Sequence, residues 1–183
     1  MTGVLLDPAP LLALPPGVRL MTFTSHADER GSFTEVFREE WAVGLRPVQW
    51  NLVRSRAGTL RGVHVHSRHS DYLMLVEGRM TVCLRDLRPG GEASAMAVEF
   101  EAPRVQALFI PPGVAHGFYY PVDSVHVYAV SRYFDPADDL GCRWDDPELG
   151  MPWPETPRHV SARDRALRGL TELRGALARA PQA

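Results

Sequence analysis

Residues 60–88, LRGVHVHSRHSDYLMLVEGRMTVCLRDLR, decide the fold class. Three short runs, LRGVHVH, YLMLVEG and RMTVCLRDLR, follow one another with only SRHSD and a glycine turn to separate them. In the third run Thr81, Cys83 and Arg85 alternate with residues 82, 84 and 86, which is the period of two that a β-strand produces. The stretch therefore predicts consecutive short β-strands.

The same pattern continues over most of the chain. Breaker segments such as DERG, RAGT, RPGG, EAPR, PPGVAH and DPADD separate the apolar runs. Seven further candidate strands bring the total to ten: VRLMTFTS, GSFTEVFR, PVQWNLVRS, AMAVEFE, VQALFIP, HGFYYPV and SVHVYAVSRYF. Ten short strands at this spacing predict an all-β sandwich or barrel, and residues 18–160 contain no linker that would divide it.

The two ends of the chain differ from this pattern. Residues 1–17 begin MTGVLLDPAPLLALPP and are interrupted by prolines, so we expect an arm with one short helical turn. Residues 161–183 contain SARDRALRGLTELRGALARA, in which apolar residues recur at helical spacing after Ser161. This segment predicts a C-terminal helix that packs on the barrel.

The composition excludes several classes of function. The 183 residues carry a formal net charge of −2, which gives no general attraction to nucleic acid or to an anionic membrane. All 20 basic residues are arginine, so a Schiff-base lysine or a lysine base is excluded. Cys83 and Cys142 form neither a CxxC pair nor a disulfide framework, and we expect both as buried thiols. Because no apolar run reaches the length of a membrane span, we expect a cytoplasmic protein.

A cluster of histidines and one acid has the composition of a metal site. His64 and His66 are two residues apart on a predicted strand, so they face the same side, and Asp71 and Gly78 follow. A later segment, IPPGVAHGF, contributes His116. The two blocks resemble the HxH and PxGxxH motifs of cupins, small β-barrels whose active site lies inside the barrel. A set of His64, His66, Asp71 and His116 would suit divalent Fe, Mn, Ni or Zn.

The same residues also admit an interpretation without a metal. Inward-facing histidines of a barrel can bind a polar ligand, and Asp71 can lie in solvent at the end of a loop. His69, within the polar segment SRHS, is expected in solvent.

A closer resemblance covers most of the chain. The segments ERGSFTEVF, QWNLVRSRAGTLRGVH, PPGVAHGF, YAVSRYFDP, GCRWDDPELGMPWP and VSARDR occur in this order between Val18 and Arg165. The series resembles the dTDP-4-dehydrorhamnose 3,5-epimerase family, and RWDDP followed by GMPWP is its most specific part. The resemblance implies a homodimeric cupin barrel, a nucleoside-diphosphate sugar, dTDP-linked, as the substrate, and no required cofactor.

The resemblance also implies roles for individual residues. His64 matches the base that removes a proton beside the ketone of a 4-keto-6-deoxy sugar, Asp164 the acid that orients this base, and Tyr128 the proton donor on the opposite face. Further positions match substrate-binding residues: Arg30, Phe33, Glu35, Gln49, Asn51, Arg61, His116, Asp139 and Arg163. The residue types suit the chemistry, because a histidine can accept a proton near neutrality and a carboxylate stabilises the resulting imidazolium. Arginines such as Arg61 suit the diphosphate.

Two substitutions separate the chain from the family pattern. His66 replaces a glutamine, and Asp71 stands where the family has a lysine that is thought to stabilise the enolate oxygen. An anion there disfavours an enolate, so we expect impaired 3,5-epimerisation unless Arg68 or a metal compensates. A metal bound to His64 would occupy the lone pair that the base needs, so the two roles of His64 exclude each other.

Three functions remain open from the sequence. The first is epimerisation at C3, at C5 or at both carbons. The second is a metal-dependent isomerase or oxygenase on the same scaffold. The third is a catalytically inactive cupin that binds a sugar nucleotide.

Overall fold

The computed structural model describes residues 5–6, 14–91 and 94–180. Within these residues the chain forms fourteen strands, one 3-10 helix and two α-helices. The strands are β1 (Leu5–Leu6), β2 (Arg19–Thr22), β3 (His26–Asp28), β4 (Gly31–Phe33), β5 (Gln49–Ser55), β6 (Thr59–Val65), β7 (Asp71–Glu77), β8 (Arg79–Asp86), β9 (Met96–Glu101), β10 (Gln106–Ile110), β11 (Val114–Tyr120), β12 (Ser124–Val130), β13 (Leu140–Gly141) and β14 (His159–Val160). The helices are the 3-10 helix Glu39–Trp41, α1 (Ala162–Arg165) and α2 (Leu170–Arg179).

Two six-stranded sheets form the barrel. The first has the order β1-β2-β10-β7-β12-β5, and the second has the order β13-β6-β11-β8-β9, with β14 paired in parallel to β6. Apolar side chains of both sheets pack together between them, among them Leu73 and Leu108 from the first sheet and Val82 and Leu84 from the second. This arrangement confirms the all-β fold that the strand pattern predicts and the cupin-type jelly-roll barrel that the resemblance implies.

Each of the ten predicted strands overlaps an observed strand, although β6, β7 and β11 begin at Thr59, Asp71 and Val114, one or two residues before the predicted runs. The strands β3, β13 and β14 are additional, and β3 pairs with β4 in a separate hairpin. In the predicted arm, Leu5–Leu6 form a strand that pairs with β2, and the rest of residues 1–13 lies outside the described residues. The strand pattern was readable because the alternation of side chains depends only on residues that are adjacent in the chain.

The predicted single C-terminal helix is wrong in one respect, because residues 166–169 interrupt it. The first turn begins at Ser161, whose hydroxyl accepts a hydrogen bond from the backbone N–H of Asp164 at 3.0 Å. The second helix is capped from outside the segment, since the N–H of Leu170 donates to Oδ2 of Asp146 at 3.1 Å. A Cβ at Gly169 would lie 2.8 Å from that same oxygen, so the absence of a side chain at this position leaves room for the capping hydrogen bond.

Candidate active site

A cavity of about 700 Å³ opens between the two sheets. Most of the predicted site residues line it: Gln49, Asn51, Arg61, His64, His66, Asp71, His116, Tyr128, Asp139, Arg163 and Asp164. The strands deliver these side chains by simple alternation, as with His64 and His66 on β6 and His126, Tyr128 and Val130 on β12. Since β6 and β12 belong to different sheets, His64 and Tyr128 stand on different walls of the cavity.

His64 and Asp164 form a hydrogen-bonded pair at the cavity wall. Nε2 of His64 lies 2.9 Å from Oδ1 of Asp164, and Oδ2 of the same carboxylate accepts the backbone N–H of Gly62 at 3.2 Å. Burial raises the pKa of the Asp164 carboxyl, but hydrogen bonds from His64, Gly62 and Ser161 outweigh it and hold the pKa below its ordinary value. Asp164 is therefore anionic near neutrality and accepts the Nε2 proton, which leaves the lone pair of a neutral His64 on Nδ1.

Tyr128 lies across the cavity as a partly buried phenol. Burial raises its pKa, and the negative charges of Asp71 and Asp139 raise it further. The hydroxyl therefore keeps its proton near neutrality, as a proton donor must. Its neighbours along the first sheet are Asn51 on β5 and Leu73 on β7, which are its register partners.

The carboxylate of Asp71 faces three histidines. Its Oδ2 atom lies 3.8 Å from Nε2 of His66, 3.9 Å from Nε2 of His116 and 4.0 Å from Nε2 of His69. Ligand atoms of His66, Asp71 and His116 all lie within 4.8 Å of one another, and this group does not include His64. Burial raises the pKa of Asp71 to about 8, and the carboxylates of Asp139 and Asp138 add to the effect.

The three histidines are neutral and have one tautomer each. Burial lowers the pKa of His116 to about 4, and it also lowers the pKa values of His66 and His69. Nδ1 of His66 lies 3.1 Å from the carbonyl oxygen of Asp138, and Nδ1 of His116 lies 3.1 Å from the carbonyl oxygen of Val114. A carbonyl oxygen only accepts, so Nδ1 of each ring carries the proton and Nε2 carries the lone pair.

The expectation that His69 lies in solvent is wrong. Its side chain is 6% exposed, and its Nδ1 lies 3.0 Å from Oδ2 of Asp138. Oδ1 of Asp138 accepts from both the backbone N–H and the hydroxyl of Ser67, at 2.8 and 2.6 Å. The polar SRHS segment is thus folded inward onto Asp138. Its composition alone did not reveal this partner, because Asp138 is about 70 residues away in the chain.

Arg68 does not take the place of the lysine that the family pattern has at the position of Asp71. Its guanidinium pairs with Asp135 through Nη2 and lies 3.7 Å from Oδ1 of Asp138 through Nε. The residue is not among those that line the cavity. Arg68 and a metal ion were the two candidates to compensate for the charge of Asp71, so a metal ion remains.

Arg30, Phe33 and Glu35 do not line the cavity of their own chain. Arg30 pairs with Asp28 at 2.6 Å, and Glu35 pairs with Arg38. Phe33 is 65% exposed at the end of the β3–β4 hairpin. Within one chain, these three side chains are therefore not brought together with the other predicted site residues.

Several lining residues were not predicted. Phe118, His126, Arg132 and His159 all face the cavity. For His126 a signal existed, since it alternates with Tyr128 on the same strand. Arg132 lies beyond the end of β12, where strand alternation no longer indicates which way a side chain points.

Comparison with known proteins gives one consistent result. The family model of dTDP-4-dehydrorhamnose 3,5-epimerase matches residues 13–172. The dTDP-4-dehydrorhamnose 3,5-epimerase of Sinorhizobium fredii is 33% identical over 85% of this chain and 86% of its own. The dTDP-4-dehydrorhamnose 3-epimerase of Streptomyces niveus is 33% identical over 87% of this chain and 83% of its own.

Solved structures agree. A dTDP-6-deoxy-D-glucose-3,5-epimerase from Legionella pneumophila, crystallised with dTDP-4-keto-L-rhamnose, superimposes with a TM-score of 0.81. It is 26% identical in sequence, and the match covers 91% of this chain and 94% of the other. The similarity therefore extends over the whole barrel.

Proposed function

Because the chain belongs to the dTDP-4-dehydrorhamnose 3,5-epimerase family, we propose that it inverts a carbon beside the ketone of a dTDP-linked 4-keto-6-deoxy sugar. The observation that carries this proposal is the His64–Asp164 pair on one wall of a cavity whose other wall holds Tyr128. Inversion needs a base on one face of the sugar ring and an acid on the other.

The reaction moves one proton off the sugar and one proton onto it. His64 takes the proton from the carbon next to the C4 ketone, and the electron pair of that C–H bond forms an enolate with its charge on the C4 oxygen. Tyr128 then donates its phenolic proton to the same carbon from the opposite face. Asp164 holds the His64 ring in one tautomer and stabilises the imidazolium that forms. Solvent afterwards returns a proton to Tyr128 and removes one from His64.

The nucleotide part of the substrate suits the polar rim of the cavity. Arg61 is held by hydrogen bonds to Oγ of Ser55 at 3.0 Å and to the carbonyl oxygen of Arg54 at 3.3 Å, so its charge is positioned in advance. Arg132 is a second cation of the lining, whereas Arg163 pairs with Asp139 at 2.7 Å. We assign the diphosphate to Arg61 and Arg132, because guanidinium groups bind phosphate oxygens through paired N–H donors.

The working unit is proposed to be a homodimer. Strand β5 lies at the edge of its sheet and exposes Trp50 by 49% and Leu52 by 59%. Phe33 on the β3–β4 hairpin is exposed as well, so three large apolar side chains are open to solvent. A second copy of the chain would cover this surface and bring Arg30, Phe33 and Glu35 to the cavity that they do not reach in their own chain.

Two other functions have less support. A metal-dependent cupin that uses His64 as a ligand has less support because, among the described residues, His64 is outside the group His66, Asp71 and His116 whose ligand atoms lie within 4.8 Å of one another. An inactive sugar-nucleotide binder would not need the base, its orienting acid and a facing tyrosine in one cavity.

We place the protein in the cytoplasm, in line with the free thiols of Cys83 and Cys142.

Solvent isotope exchange tests the proposed reaction. In D₂O, the protein should incorporate deuterium at C3, at C5 or at both carbons of dTDP-4-keto-6-deoxyglucose, followed by NMR. His64→Asn should abolish incorporation, whereas Tyr128→Phe should retain exchange and lose inversion. Tyr119→Phe is the matched control, because this hydroxyl binds Glu155 outside the cavity. Binding of the sugar nucleotide without any exchange, with or without added metal, would establish the inactive alternative.

A further inference from the structure

The start of β7 places a carboxylate among three imidazoles inside the barrel. The Nε2 atoms of His66, His69 and His116 lie 3.8, 4.0 and 3.9 Å from Oδ2 of Asp71. These distances are longer than hydrogen bonds, which join nitrogen and oxygen at about 2.7–3.2 Å. The three ring nitrogens surround this oxygen without hydrogen-bonding to it.

The partner of the other ring nitrogen shows where each imidazole carries its proton. Nδ1 of His66 and of His116 each donates to a backbone carbonyl oxygen, and Nδ1 of His69 donates to the carboxylate of Asp138. All three rings therefore present the Nε2 lone pair to the oxygen of Asp71. These three nitrogens and the Asp71 oxygen are all atoms that bind metal ions, so a cation at the centre would be attracted to each of them.

We propose that His66, Asp71 and His116 bind a divalent first-row transition metal ion, with His69 as a fourth ligand. The first three already lie within 4.8 Å of one another. Ligand atoms bound to one such ion at 2.0–2.2 Å are about 3 to 3.5 Å apart, so these atoms approach one another by up to about 1.5 Å when the site closes. Imidazole nitrogens select Zn, Fe, Ni or Co over Mg and Ca, which prefer oxygen ligands.

Asp138 belongs to the support of this site. Its carboxylate lies close to His66 and His69 and could be counted as a ligand itself. Both of its oxygens are in use, however: Oδ1 accepts two hydrogen bonds from Ser67, and Oδ2 accepts one from His69. Acids that hold the far nitrogen of a metal-bound histidine orient the ring in this way. His69 itself is stacked on His66 with ring centroids 3.8 Å apart, which limits its rotation.

His64 is not needed for this site. Its Nε2 is bound to Asp164, and it stays available as the base while His66 and His116 hold the ion. The ion would stand in the wall of the same cavity and could polarise the C4 carbonyl as a Lewis acid. That catalytic role rests on the proposed function, whereas the binding of the ion does not.

Metal binding by the whole chain, without a histidine tag, tests the site. Protein treated with a chelator is dialysed against Co²⁺, and the bound metal is measured by elemental analysis and by its visible spectrum. We expect one Co²⁺ per chain and a higher melting temperature in its presence. Less than about one tenth of an equivalent at saturating Co²⁺ overturns the proposal.

Variants assign the ligands. Asp71→Asn, His66→Gln and His116→Gln should each weaken Co²⁺ binding by about 100-fold or more, and Asp138→Asn by about 10-fold. His126→Asn is the matched control, a buried histidine of the same cavity, and should bind as the wild type does. If the three ligand variants, checked for folding by circular dichroism, keep the wild-type affinity, the ion binds elsewhere and the assignment is wrong.

One further variant separates this proposal from the proposed function. His64→Asn should bind Co²⁺ as tightly as the wild type while losing deuterium exchange. If the wild-type protein exchanges deuterium but binds no metal, the proposed epimerase activity stands and the metal site is wrong. If it binds metal but exchanges no deuterium, the metal site stands and the proposed activity is wrong.

Discussion

Nε2 of His64 lies 2.9 Å from Oδ1 of Asp164, although the two residues are 100 positions apart in the chain. His64 comes from a central strand of the second sheet, and Asp164 comes from the single turn of helix that begins at Ser161. The pair gives the imidazole a defined tautomer, and the first prediction concerns the acid.

Asp164→Asn should lower kcat by about 10²–10⁴-fold, because the amide cannot stabilise the imidazolium and also permits the wrong tautomer. The affinity for dTDP should change little, since Asp164 reaches the sugar only through His64. Steady-state kinetics and dTDP titration check both statements. Asp146→Asn is the control, because it removes a comparable carboxylate that caps α2 outside the cavity. An equal loss of kcat in both variants would mean that Asp164 acts on the fold alone.

Arg61→Gln should weaken dTDP binding by about 10- to 100-fold, the range for a lost hydrogen-bonded charge on phosphate. The measurement is a calorimetric titration at two salt concentrations, and the variant should show the smaller salt dependence. Arg79→Gln serves as control, since Arg79 is 52% exposed and lies 4.0 Å from Glu101, away from the cavity. Unchanged affinity in Arg61→Gln would assign the diphosphate to other groups.

Gly62→Ala should destabilise the protein more than Gly90→Ala. Both glycines have positive φ, +111° and +76°, so alanine is strained at either position. At Gly62 the new Cβ would also lie 2.9 Å from Cα of Gly117 and 3.0 Å from the carbonyl oxygen of His116, whereas at Gly90 nothing lies within 4 Å. Denaturant unfolding should show an additional loss of about 1–3 kcal/mol for Gly62→Ala. Equal losses would show that β6 and β11 can separate without cost.

Acid should weaken the fold partly through His126. Burial, helped by the charge of Arg61, lowers the pKa of His126 to about 4 from an ordinary 6.5. Between these values the unfolded chain binds a proton that the folded chain does not, so stability falls as the pH drops from 6.5 toward 4. At about 1.4 kcal/mol per pH unit the loss is about 3 kcal/mol.

His126→Asn should therefore flatten the fall of unfolding free energy over this pH range. Denaturant melts at several pH values measure the slope for the variant and the wild type. The remaining slope belongs to other buried groups such as His116. Identical slopes would show that His126 is protonated in the folded protein.

Leu52→Glu should dissociate the proposed dimer, because a charge buried in an apolar interface loses its hydration. Light scattering after gel filtration should show a monomer for this variant and a dimer for the wild type. Ala178→Glu, an exposed substitution on α2, should remain dimeric. A monomeric wild type would remove the dimer and leave Arg30, Phe33 and Glu35 without a role at the cavity.

Much of the barrel and of its lining could be predicted from the sequence. Side chains on a strand alternate between two faces whatever the rest of the molecule does, so His64 and His66 were expected on a common face. The ordered segments from ERGSFTEVF to VSARDR indicated the family and, through it, the roles of His64, Tyr128 and Asp164. The polar SRHS segment and the C-terminal helix were less predictable, because loop and cap partners lie far away in the chain.

The sequence by itself determined the all-β barrel, the family and the residue types that face the cavity, since these depend on local alternation and on motif order. Only the tertiary structure decided how the histidines divide between two tasks. Asp164 binds Nε2 of His64, while Asp138 and two backbone carbonyls turn His66, His69 and His116 toward Asp71. The lone pair that a ring presents depends on the partner of its other nitrogen, and packing of distant segments chooses that partner.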